Sequence, residues 1–105
     1  MRTGCSMLGV LEPERDFAQQ DEAIERMLAA FPGTIGYWYH YAHFGRRIET
    51  DSGAGSLAED FLTLLHQQKP DPTPIKVMHA SLILYAEHEF NASTFAARVA
   101  ASTLT

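Results

Sequence analysis

Residues 72–95 read PTPIKVMHASLILYAEHEFNASTF, and the fold is decided in this stretch. Ile75, Val77, Met78, Leu82, Ile83, Leu84 and Tyr85 leave almost no polar side over roughly 74–87. The segment reads as a helix. Thr73 and Pro74 suit its N-cap and first turn. A helix that is apolar all round is a buried one. Burying it would take most of the other helices of a 105-residue chain, so the stretch hints at partner structure beyond this sequence. Glu87, His88 and Glu89 then form a polar corner. Asn91 to Thr94 supply capping residues for a last helix through Phe95, Val99 and Leu104. That helix stops at Thr105 without a glycine cap, and its end is expected to be cut rather than finished.

Working back toward the N-terminus, Lys69-Pro70-Asp71-Pro72-Thr73-Pro74 is a stiff break. Before it, Ser56 is placed to cap a helix whose apolar set is Leu57, Phe61, Leu64 and Leu65. Asp51-Ser52-Gly53-Ala54-Gly55-Ser56 is a loop by composition. Ile35 to Phe44 is rich in aromatic residues and shows no alternation, so a helix is expected. Pro32-Gly33 should interrupt or kink it. Ile24, Met27, Leu28 and Phe31 recur at helical spacing after Asp21 and Glu22, two acids that suit a first helical turn. Residues 12–20 are polar and read as a connection, and residues 2–10 form a short helix weakened by Gly4 and Gly9. The fold class is all-α, with about five helices in one unit spanning 1–105.

Thirteen acidic residues against eight Lys plus Arg give a net charge of −5. Phosphate backbones reward clustered positive charge, and the only adjacent basic pair is Arg46-Arg47, so nucleic acid is not an expected partner. The apolar run Val77–Ala86, broken by His79 and Ser81, is too short to span a bilayer. The single cysteine, Cys5, cannot form an internal disulfide, which fits a reducing cytoplasm. Its default role is that of a small buried hydrophobe.

Candidate chemistry is sparse. His40 and His43 lie three apart and would share a helix face, but zinc needs two further ligands that no Cys or His pair supplies. His88-Glu89 begins like a zincin motif, yet Ala92 stands where the second histidine would be. No metal and no cofactor are expected. Tyr37, Trp38, Tyr39, Tyr41 and Phe44 read as helix packing in an acidic chain. Gly53-Ala54-Gly55-Ser56 lacks the Gly-Lys-Ser/Thr of a phosphate loop. The corner 84–94 differs in kind. Backbone N–H groups at the start of the helix after Asn91 can hold a carboxylate, and His88 can donate to the same ligand, which makes a sensible dicarboxylate site. The alternative is a polar corner that caps two helices.

LYAEHEFNASTF at 84–95 closely resembles the signature stretch of the citrate and 2-methylcitrate synthases. MRTGCSMLG at 1–9, YWYHY at 37–41, FLTLLH at 61–66 and the long apolar helix before Glu87 match in the same order. The resemblance covers nearly the whole chain. It implies an all-helical enzyme with a large and a small domain, active as at least a dimer, and places most of this chain in the large domain. In that family an acyl-CoA carbon nucleophile is joined to oxaloacetate and the thioester is then hydrolysed. An aspartate removes the α-proton while two histidines stabilise developing oxygen charge.

By its place in the motif, His88 resembles the histidine that donates to the keto oxygen of oxaloacetate. The catalytic aspartate and two histidines are expected beyond Thr105, so the chain alone is expected to be inactive. Substrate-binding residues are then His88, Tyr85 and Asn91. Many citrate synthases carry His-Ala-Asp-His-Glu where this chain has Tyr85-Ala86-Glu87-His88-Glu89. The tyrosine resembles the methylcitrate branch, in which it would shape the pocket for the extra methyl of propionyl-CoA, or merely be a packing substitution. The helix at 58–67 departs from some members, which carry further histidines where Asp60 and Thr63 stand. An acetyl-CoA citrate synthase and a non-catalytic helical interaction module remain the other two readings.

Overall fold

The computed structural model describes residues 1–13, 15–87 and 91–104. Five α-helices and a 3-10 turn account for the regular structure of these residues. They are α1 (Arg2–Leu11), the 3-10 turn Phe17–Gln19, α2 (Gln20–Phe44), α3 (Leu57–His66), α4 (Pro72–Ala86) and α5 (Ala92–Ala101). The chain is all-α, as its periodicities required. α1 packs on α2, and α3 lies between α2 and α4; among the described residues α5 packs on no other helix.

Local signals explain most helix ends. Asp21 and Glu22 occupy the first turn of α2, where their charge meets the positive end of the helix dipole. Gly45 ends it in the left-handed region, φ 63°, with the N–H groups of Gly45 and Arg46 returning to the carbonyls of Tyr41 and His40. Ser56 caps α3 by accepting from the Glu59 N–H at 3.2 Å. Asp71 and Pro72 begin α4, two residues ahead of the expected Thr73-Pro74 start.

Two expectations are corrected and one is refined. Pro32 does not interrupt α2, which runs through it for 25 residues. Proline removes the N–H that would serve the Leu28 carbonyl. That loss is offset by tertiary packing, because Pro32 is buried and shares an apolar groove with Phe31, Ile35, Leu57, Phe61, Met78 and Leu82. Of the apolar set of α3, Leu64 is buried, together with Ala58 and Leu62, while Leu57, Phe61 and Leu65 are half-buried. α3 turns this way because it packs on two sides: Leu64 approaches α2 at Gly36, where an added Cβ would stand 3.1 Å from the Leu64 Cβ, while Phe61 faces the groove. Finally, α4 is apolar all round yet has no buried residue, with Val77, Ile83, Leu84 and Tyr85 all at least 60% exposed.

The exposure of α4 is part of a general pattern. The accessible surface is 8784 Å², whereas a self-contained monomer of this mass would show about 5,900 Å². The radius of gyration is 16.0 Å, against about 13 Å for a compact domain of this length. The helices form an elongated body, 48 × 29 × 26 Å, with many large apolar side chains exposed.

Candidate functional site

The corner between α4 and α5 is assembled from both sides by local chemistry. α4 loses its helical conformation at Glu87, which is extended at φ −104°, ψ 120°. On the far side Asn91 is the N-cap of α5, and its Oδ1 accepts the Thr94 N–H at 3.0 Å. The Asn91 carbonyl accepts from Phe95 N–H at 3.0 Å, closing the first turn. Ala92, Ser93 and Thr94 therefore present the positive end of the α5 dipole to the corner. His88, to which the sequence assigns the ligand hydrogen bond, lies outside the described residues.

Tyr85 is in the last turn of α4 and 81% exposed. Neither the apolar groove of α2, α3 and α4 nor the hollow beside Tyr37, Trp38 and Tyr41 includes Tyr85 or Asn91 among its walls. Tyr85 and Asn91 thus flank residues 88–90 in sequence, and neither lines either of these two hollows. Asn91 has a structural duty whatever else it does. Asn91→Ala is expected to destabilise the chain by about 1 kcal/mol through loss of the cap. Amide exchange at Thr94 and Phe95 measures this, and unchanged protection there would count against the cap.

The histidine pair on α2 resolves differently from a metal face. His40 is 4% exposed, and its Nε2 lies 3.0 Å from the carbonyl oxygens of both Leu64 and Leu65. His43 is exposed and packs among the rings of Trp38 and Tyr39. His40 lies at helical spacing from Pro32 and Gly36, the other buried residues of α2, and faces inward with them. Cys5, expected to be buried, is only half-buried. No group of three or more potential metal ligands occurs among the described residues. No helix there is long and apolar enough to cross a membrane.

Comparison with known proteins gives these features a family. The model described as "Citrate synthase, C-terminal domain" matches residues 1–105. The chain is 58% identical over 104 residues to the 2-methylcitrate synthase of Shewanella oneidensis, covering 99% of this chain and 28% of that protein. It is 37% identical to citrate synthase 2 of Bacillus subtilis, covering 99% of this chain and 28% of that protein. With the 2-methylcitrate synthase of Mycobacterium tuberculosis it shares 38% identity, over 98% of this chain and 26% of that protein. The chain therefore spans little more than a quarter of the length of these relatives.

Proposed function

Because the chain belongs to the citrate synthase family, we propose that it is the substrate-corner portion of a 2-methylcitrate synthase. Such an acyltransferase condenses propionyl-CoA with oxaloacetate and water to give 2-methylcitrate and CoA. The observation that carries this reading is the 58% identity to the Shewanella oneidensis enzyme, sustained across almost the entire chain. On this reading residues 1–105 form one helical piece of the large domain, and the uncovered faces of α4 and α5 meet the remainder of the enzyme. The enzyme would be a cytoplasmic homo-oligomer.

Each site residue then has a task. His88 donates to the keto oxygen of oxaloacetate and polarises the carbonyl for attack. The start of α5, set by Asn91, directs backbone N–H groups and the helix dipole at a substrate carboxylate. Tyr85 supplies one wall of the acyl pocket. Proton abstraction from the acyl-CoA falls to residues outside this sequence, and purified 105-residue chain should show no turnover.

An acetyl-CoA citrate synthase is the second reading, favoured by the similarity to citrate synthase 2 of Bacillus subtilis. Rates of the full enzyme with the two acyl-CoAs separate the two. A methyl group in an apolar pocket is worth about 1–3 kcal/mol. Tyr85→His is accordingly expected to lower the propionyl-to-acetyl ratio of kcat/KM about tenfold. An unchanged ratio would leave Tyr85 a packing residue. A non-catalytic interaction module is the third reading, and measurable condensation by the full enzyme dismisses it.

A further inference from the structure

α3 stops earlier than its own sequence asks. Leu65, His66, Gln67, Gln68 and Lys69 are ordinary helix formers, and the first residue hostile to a helix is Pro70. Proline disfavours helix at the residue before it, which would let α3 run to about Gln68. Instead α3 ends at His66, and Gln67 adopts φ 57° with its N–H on the Thr63 carbonyl at 2.7 Å. Among the described residues Gln67 is the one non-glycine residue with positive φ, a conformation that carries a steric cost for a side chain with a Cβ.

The carbonyls of Leu64 and Leu65 are engaged by side chains at this end. In a continuing α-helix they would accept the N–H groups of Gln68 and Lys69. Here both face His40 Nε2 at 3.0 Å, and Leu64 also accepts from Gln67 Nε2 at 2.7 Å. Carbonyl oxygens only accept, so Nε2 carries a hydrogen shared between them. The ring keeps this orientation although it leaves Nδ1 buried with no hydrogen-bond partner. The rings of Tyr39 and Phe44 flank it at 5.4 and 6.0 Å.

We propose that His40 is a latch reaching from α2 that terminates α3 and so fixes the turn at Gln67–Pro70 from which α4 departs. It competes with the backbone for the two carbonyls that helix propagation would need.

NMR on the labelled full enzyme tests this. In His40→Leu, Gln67 and Gln68 should acquire helical Cα shifts and Gln67 should lose its positive φ, as read from the HN–Hα coupling. His40→Gln, which keeps a terminal N–H donor, should retain the turn. Persistence of the left-handed Gln67 in His40→Leu would overturn the proposal, because the turn would then be intrinsic to 64–70. Should His40→Leu fail to fold, the unsubstituted enzyme still decides. A ring hydrogen on Nε2, with coupling to the carbonyl carbons of Leu64 and Leu65, supports the latch; a hydrogen on Nδ1 alone rules it out.

Discussion

Replacing His88 by alanine in the full enzyme is expected to lower kcat/KM for oxaloacetate by about 10²–10³-fold, which corresponds to loss of one preorganised donor at a reacting oxygen. The keto oxygen gains negative charge as the carbon–carbon bond forms. A donor held in place by the enzyme stabilises such charge more than water can, because it needs no reorganisation during the step. On the proposed reading the start of α5 holds a substrate carboxylate and is untouched by the substitution, so binding of a non-reactive dicarboxylate should fall less than turnover does. Steady-state kinetics and analogue titration on the same variant provide the comparison. A loss below tenfold, or equal losses in both, would show that His88 only caps the corner. His88→Gln, which restores a donor, should recover part of the rate.

Leu64→Ala is the second large effect, with an expected loss of about 2–5 kcal/mol of stability in the 105-residue chain. Leu64 is 2% exposed. It fills the close approach to Gly36, and its carbonyl is held by His40. Truncation removes apolar contact and leaves a cavity between α2 and α3, in a chain with little other core to absorb it. Leu84→Ala supplies the contrast. Leu84 is 78% exposed, and its truncation in this chain should change stability by less than about 0.5 kcal/mol. In the full enzyme, where α4 would be covered, the same Leu84→Ala should cost about 2–5 kcal/mol. Urea unfolding of the three variants, each against its unsubstituted parent, tests both statements. A small effect of Leu84→Ala in the full enzyme would mean that α4 stays uncovered there.

The sequence by itself determined the all-α class, the loop before α3, the Ser56 and Asn91 caps and the polar corner after α4. All of these depend on residues within one helical turn of each other: a cap's oxygen reaches an N–H three residues on, and periodicity is read along one segment. The family was legible for a related reason, since its signature at 84–95 is contiguous. Other features depended on residues far apart in the chain. Pro32 is tolerated inside α2 because α3 and α4 meet it in an apolar groove. The buried face of α3 follows from where Gly36 admits Leu64, and its end follows from a histidine 24 and 25 residues earlier taking two of its carbonyls. The exposure of α4 could not be read from its composition, because an apolar helix carries no record of which surface covers it. Local hydrogen-bond geometry therefore wrote the helices into the sequence, while the competition of distant groups for the same carbonyls and the same apolar faces was settled only when the helices packed.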